Sequence, residues 1–430
     1  MTADLLQAAT SCANNHRRGH RARVRAAVSG SSARSATASG ASAEKPAQRA
    51  VGFARLDNQT VDVSPIGRNE QRRFRNKMQA VLHRESTLKR VQMCGRRRIS
   101  HLHPVKVINN GGVGHFTNVQ SCGSVHVCPV CSPKIRQRRA VEINKAVCAH
   151  LDAGGDALFQ TFTLPHDFGD ELAPLLATIA NAFRRVIGGR GYLDDKRDYA
   201  ITGSIRASET TFGKAGAHPH LHVIFFCDRR LSPGEVRTLQ ARLFARWCAA
   251  VESVGYRPPL IGLCLMEKVR TREVGAYVNK LALTEDTSHK VGMEMTRHDL
   301  KAGRRKGRTP FQVLRDFTES GDCADLALWH EWEKASHGTK SLTWSSGLKV
   351  RFAVNEKTDE ELAAELVGGE VVAELTVDQW NLVKGEPMGC VEVLEVAEQE
   401  GADGVQFWLF IADIRRHKRD LHNARMLRAA

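Results

Sequence analysis

His218-Pro219-His220-Leu221-His222-Val223-Ile224-Phe225-Phe226 is the stretch on which the reading of this chain turns. On a strand, successive side chains point to opposite faces. His220 and His222 then share one face, about 6.5 Å apart, while Leu221, Val223 and Phe225 turn the other way, into a core. His218 shares the histidine face, with Pro219 marking the start of the strand. The residues just before it, DYAITGSIRASETTFG at 198–213, also read as a strand, and Lys214-Ala215-Gly216 supplies a turn. A hairpin folded there puts Glu209 close to opposite His220 or His222. Two imidazoles and a carboxylate on a rigid sheet suit Mn²⁺ or Mg²⁺ and leave coordination positions open for substrate oxygens. A lone His-x-His is more often only an exposed strand; three spaced histidines with a hairpin carboxylate favour the metal.

Outward from the hairpin, DALFQTFTLP at 156–165 reads as another strand, and 172–187 and the stretch from Pro233 read as helices. Residues 311–337 look helical, with Phe311, Leu314, Phe317, Leu326, Trp329 and Trp332 as core candidates. A helix is expected at about 270–284. On it, Glu273, Tyr277 and Lys280 fall within an arc of about 60° at ~100° per residue, beside an apolar stripe of Val274, Val278 and Leu281. The chain has only 4 tyrosines, yet a tyrosine in such a place is ordinarily the rim of a core.

Upstream, Cys94, Cys122, Cys128 and Cys131 stand in the pattern C-x27-C-x5-C-x2-C, and the last pair has the spacing of a structural zinc half-site. Four thiolates would close a tetrahedron around Zn²⁺ and fix a small, loop-rich module; His126 is an alternative to one cysteine. Residues 66–98 are dense in arginine and lysine and lead straight into this cluster, which favours a DNA contact over a merely solvated face. KAGRRKGR at 301–308 is a second basic stretch.

Composition agrees. The 63 Lys and Arg against 47 Asp and Glu leave a net +16, which favours a polyanionic partner. The 42% hydrophobic content excludes a wholly disordered chain. No apolar run approaches the ~18 residues that cross a bilayer. The start of the chain has no basic segment followed by an apolar one, so a cytoplasmic, non-membrane protein is expected. The odd count of 11 cysteines suits a reducing compartment rather than a disulfide scaffold. The expected fold class is α+β, with the organisation 1–60 disordered basic tail, 61–150 basic and zinc-binding module, 151–300 sheet domain, and 301–430 a C-terminal region of unstated role.

The order Cys94-Gly95, CGSVHVCPVCSPKI, TFTLP, HPHLHVIFF, EVGAYVNK resembles the replication initiator proteins of rolling-circle plasmids, in the single-tyrosine branch of the HUH endonucleases. The resemblance covers about residues 90–285 and continues weakly into 341–363. It implies an antiparallel sheet flanked by helices, with TFTLP on an inner strand beside the histidines and the tyrosine on a neighbouring helix. It implies metal on His220, His222 and Glu209, a nucleophile at Tyr277, an assisting Lys280, and Glu273 as the extra acid of this branch. Where the family often has an aromatic residue this chain has His126, which leaves the four cysteines as the zinc ligands. The implied partners are plasmid origin DNA, single-stranded or in a hairpin, with a host helicase and replication polymerase. A mobilisation relaxase or single-strand transposase would share the chemistry; a non-enzymatic zinc-dependent DNA-binding regulator would need neither the histidine strand nor the tyrosine helix.

Overall fold

The computed structural model describes residues 65–269, 307–365 and 368–429. The expected tail at 1–60, the expected helix with Glu273, Tyr277 and Lys280, and 301–306 of the second basic stretch lie outside the described residues. The first described elements are α1 (Pro65–Glu85), α2 (Lys89–Gln92), β1 (Val105–Asn110), β2 (Val113–Phe116), α3 (Cys131–Asp152) and β3 (Asp156–Thr163). Then come α4 (Leu172–Val186), α5 (Gly189–Asp198), β4 (Ile201–Gly213), β5 (Gly216–Cys227), α6 (Pro233–Glu252) and β6 (Met266–Lys268). After residue 306 follow α7 (Pro310–Ser320), α8 (Cys323–Ser336), β7 (Leu342–Trp344), α9 (Leu348–Arg351) and α10 (Asp359–Ala364). The last are β8 (Glu370–Leu375), α11 (Val377–Gly385), α12 (Gly389–Gln399) and α13 (Gly401–Ala429).

The fold is mixed α/β, with antiparallel sheets flanked by helices. The larger sheet runs β6-β3-β5-β4-β7 and the smaller β2-β1-β8. The long hairpin is closed by Lys214-Ala215 between the paired Gly213 and Gly216, and Gly216 takes a φ of 91° that a side chain would resist. The strand therefore begins at Gly216, three residues earlier than Pro219 suggests. Proline is tolerated inside it because β3 stops at Thr163, opposite His220, so that Pro219 has no β3 partner and behaves as an edge position on that side.

Helix boundaries follow local chemistry. Ser232 and Glu235 form a capping box ahead of α6, with Pro233 in its first turn; Thr309, Gln312 and Pro310 do the same for α7. The helical stretch expected over 311–337 is two helices. Gly321, in the left-handed region at φ 72°, ends α7, and the Asp322 side chain caps α8.

The two faces of the large sheet bury different cores. Leu221, Val223 and Phe225 pack with Leu175, Ile179 and Phe183 of α4 and with Leu239, Leu243 and Trp247 of α6. Ile224 and Phe226 meet Ile143 and Val147 of α3 on the other face. Trp247 is wholly buried; its indole N–H donates to the Thr163 carbonyl at 2.9 Å and its ring lies 5.1 Å from Phe162. It thereby holds the end of β3 next to His220.

Sequence-distant segments share the remaining cores. β8 pairs with β1, while β7 joins the large sheet beside β4. Arg72 and Arg73 of α1 reach Glu398 and Glu395 of α12, each at 2.6 Å, and both carboxylates are nearly buried. These two arginines of the basic stretch thus serve the fold. Trp247→Ala should cost about 3–5 kcal/mol through cavity formation, read as a lower denaturant midpoint, whereas Trp247→Phe, which keeps most of the volume, should cost clearly less.

Candidate functional site

Glu209 stands directly opposite His220 in the β4–β5 ladder, and Thr163 and Thr161 of β3 stand opposite His220 and His222. Cross-strand partners share a face, so the carboxylate and both imidazoles converge. Glu209 Oε2 lies 3.2 Å from His220 Nε2 and 3.0 Å from His222 Nε2. Ligands about 2.1 Å from one ion at right angles are about 3.0 Å apart, so the donor spacing fits a divalent cation. The rings are aimed from behind: Nδ1 of His220 faces the His218 carbonyl at 3.4 Å, and Nδ1 of His222 faces Thr161 Oγ1 at 3.2 Å. Such outer partners favour the tautomer whose Nε2 lone pair faces the Glu209 carboxylate, where a metal would sit. Phe159 stacks on the His222 ring at 5.2 Å.

His218 continues the row. Its Nδ1 lies 3.3 Å from Nδ1 of His166. Burial, together with the neighbouring His220 and His166, pushes His218 down to about 4, so this ring is neutral at pH 7. Thr161, Phe159 and His166 were not singled out as site residues from the sequence; the TFTLP run and its place on an inner strand beside the histidines are as expected, since β3 lies between β6 and β5.

Cys94, Cys122, Cys128 and Cys131 form the second group. Their sulfurs are 3.5 Å (94–131), 3.7 Å (122–131) and 3.6 Å (94–128) apart. These separations are far beyond an S–S bond, and all four are free thiols. Sulfurs about 2.3 Å from a tetrahedral zinc would be about 3.75 Å apart, which the cluster nearly matches. Burial drives the Cys128 thiol well above its ordinary value, whereas contacts from Cys122, Cys128 and Cys94 hold Cys131 well below it. Thiolates crowded in a buried pocket repel one another, and a cation relieves that repulsion. His126 lies outside the group: its Nε2 meets the Thr339 carbonyl and hydroxyl, both at 3.2 Å, and burial lowers it to about 3.

The cysteines do not stand in a poor core, as a small loop-rich module would have them. They are buried with Leu82, Val91, Phe311 and Trp329, and with Phe212 and Ala217 from the tip of the β4–β5 hairpin. Arg308 of the second basic stretch pairs with Asp316 and Asp325 at 2.8 and 2.7 Å, so it too is committed within the fold. No helix among the described residues is long and apolar enough to cross a membrane.

Comparison with known proteins places this chain beside Protein rep of Streptomyces lividans, 28% identical over 362 residues, which cover 68% of this chain and 78% of the relative. It is also 29% identical over 284 residues to the Neomycin resistance protein of Streptomyces cyanogenus, across 52% of this chain. The match spans 62% of that relative's length. No family model matches, and no solved structure matches. The chain is thus Rep-like, as the order of its motifs implied.

Thr161→Val keeps the shape of the side chain and removes the hydroxyl behind His222. Binding of Mn²⁺ to the Glu209 site, followed by calorimetry, should weaken about 10- to 100-fold with no loss of thermal stability; unchanged affinity would remove Thr161 from the site.

Proposed function

We propose that the chain is a cytoplasmic plasmid replication initiator of the rolling-circle kind, which nicks and rejoins one strand of origin DNA through Tyr277. The observation that carries this reading is the convergence of Glu209, His220 and His222 on one point of the antiparallel sheet, at spacings that fit a divalent ion. The name of the Streptomyces lividans relative supports the replication role.

Mn²⁺ or Mg²⁺ held by Glu209, His220 and His222 would polarise a scissile phosphate and offset charge on its oxygens. The Tyr277 phenolate attacks phosphorus in line. A phosphorus–oxygen bond forms to the tyrosine as the bond to the 3′ oxygen breaks; that oxygen takes a proton from water, leaving a 5′-phosphotyrosine and a free 3′-OH to prime synthesis. Because the new linkage is still a phosphodiester, rejoining needs no outside energy source. Lys280 favours the phenolate by its charge, and Glu273 activates the water that ends the reaction.

Chain length supports bringing Tyr277 to this point. Val269, eight residues earlier, is anchored by its amide to the Ala157 carbonyl at 2.8 Å. Ala157 is four residues before Thr161 on β3, about 13 Å along the strand; eight residues rise about 12 Å as a helix, and the tyrosine side chain adds its own reach. The cysteine group, by its donors and spacing, suits a structural Zn²⁺. A nick on single-stranded or hairpin DNA fits a site on a sheet face, where a backbone released from the duplex can reach the ligands; a host helicase and polymerase would then extend the 3′-OH.

Incubation with supercoiled origin plasmid or a single-stranded origin oligonucleotide tests the chemistry. His222→Ala should abolish nicking, and Tyr277→Phe should abolish both nicking and the covalent adduct. Glu273→Ala should still form the adduct yet accumulate over-length products. An adduct mapped to Tyr192, Tyr199 or Tyr256 would overturn the assignment.

Purified protein should also retain about one zinc per chain through dialysis, and Cys131→Ser should lose it with a fall in thermal stability. A fully folded zinc-free protein would remove the structural role.

A further inference from the structure

The arginine-rich approach to the cysteine cluster divides into two kinds. Arg72 and Arg73 are spent on Glu398 and Glu395. Arg96, Arg97 and Arg98 have no ion pair with any acidic side chain among the described residues, and Arg97 is exposed. Arg96 and Arg97, with Met93, Asn381, Lys384 and Gly385, line an open groove of about 470 Å³ between the turn after Cys94 and α11.

This groove is held rigid. Cys94 precedes it within the cysteine cluster. The Gly95 amide bonds to the Gln120 carbonyl at 2.9 Å, and the Gln120 amide returns to the Arg97 carbonyl at 2.8 Å. Trp380 Nε1 donates to the Arg96 carbonyl at 3.2 Å, and the Arg96 guanidinium donates to the Lys384 carbonyl at 3.0 Å. Burial, with Arg96 and Arg98 close by, lowers the Lys384 ammonium below its ordinary value. The cations are thus pressed together on a fixed backbone. The nearby acid, Glu386, is taken by Arg419 of α13 at 2.5 Å. That contact brings α13 to the rim of the groove. Beyond Ala412 the helix is held to the body by that Arg419 contact, and residues 413–427 are all exposed. This exposed part is about 22 Å long and carries Arg415, Lys418 and Arg425, besides Arg416, which pairs with Asp413 at 2.7 Å, and the committed Arg419.

We propose that this face is the docking surface for duplex DNA. Backbone phosphates enter the groove between Arg96, Arg97 and Lys384, and the exposed end of α13 lies against the same duplex. Unpaired, preorganised cations are what a phosphate backbone selects, and a major groove about 12 Å wide admits one helix. The surface is separate in sequence and in its partners from Glu209, His220 and His222. Duplex holding and strand cutting are therefore assigned to different parts of the protein. The proposal rests on the reading of the chain as an origin-DNA enzyme, and it gives the cysteine cluster a second consequence, since Cys94 positions the arginines.

The test compares the full-length wild type, Arg97→Ala/Lys384→Ala, and the control Arg190→Ala/Arg237→Ala, which removes two exposed charges from α5 and α6. Duplex binding is measured against salt, and nicking on a single-stranded oligonucleotide. The groove variant should bind duplex at least about tenfold more weakly, with the slope of log K against log salt reduced by about 2. It should keep single-strand nicking, which also shows that it is folded. The control should bind as wild type does. Equal affinity and slope in the groove variant and wild type would overturn the proposal, as would an equal loss in the control. Failure of the wild type to nick, with the duplex result as expected, would overturn the nicking reading and leave this surface standing.

Discussion

Everything at the sheet site depends on the register of one hairpin. Side chains on a strand alternate with a period of two, so a slip of a single residue between β4 and β5 would turn Glu209 away from the histidines and push Leu221, Val223 and Phe225 out of their core. The observed pairing of Glu209 with His220 is therefore enforced by burial on the opposite face rather than by the polar residues themselves. The three donors bear the cost of closeness, and the apolar face supplies the stabilisation that keeps them there.

That arrangement links the two candidate metal groups. Phe212 and Ala217, a cross-strand pair near the hairpin tip, are buried in the core that also holds the four cysteines. A structural ion among the cysteines would stiffen the same tip that carries Glu209 a few residues away. Trp247 acts from the other side by gripping the Thr163 carbonyl at the end of β3. The triad is accordingly clamped by packing at both of its neighbouring strand ends, which is how a site on a sheet attains the positional precision that charge stabilisation requires.

The legible parts of the sequence were those whose signal is local. A histidine at every second residue, a short turn with glycine, and Cys-x-x-Cys each span few residues and obey one geometric rule, and the hairpin and both donor groups appear accordingly. What escaped the reading depends on partners far away in the chain. β1, β2 and β8 are strands of four to six residues whose pairing joins Val105 to Leu375. The charge run around Arg72 looked like a DNA contact because Glu395 and Glu398 lie more than 300 residues further on. Lys384 lies 288 residues from Arg96, so no window of sequence could display the groove. The single helical stretch expected over 311–337 failed for a local reason instead: Gly321 and Asp322 are a stop and a start placed side by side.

The pairing of β1 with β8 also sets a timetable. Asn109 meets Glu370, so an early strand must wait for a partner made about 260 residues later. At about 5–20 residues per second, a ribosome needs roughly 13 to 50 s to supply it. During that interval β1 and β2 form an unfinished ribbon with an open edge, the type of surface that recruits stray strands. Arg72 and Arg73 wait longer still, 326 and 322 residues, for Glu398 and Glu395. The smaller sheet is thus assembled only after the chain has been made as far as Leu375, and its maturation lags well behind the synthesis of its first two strands.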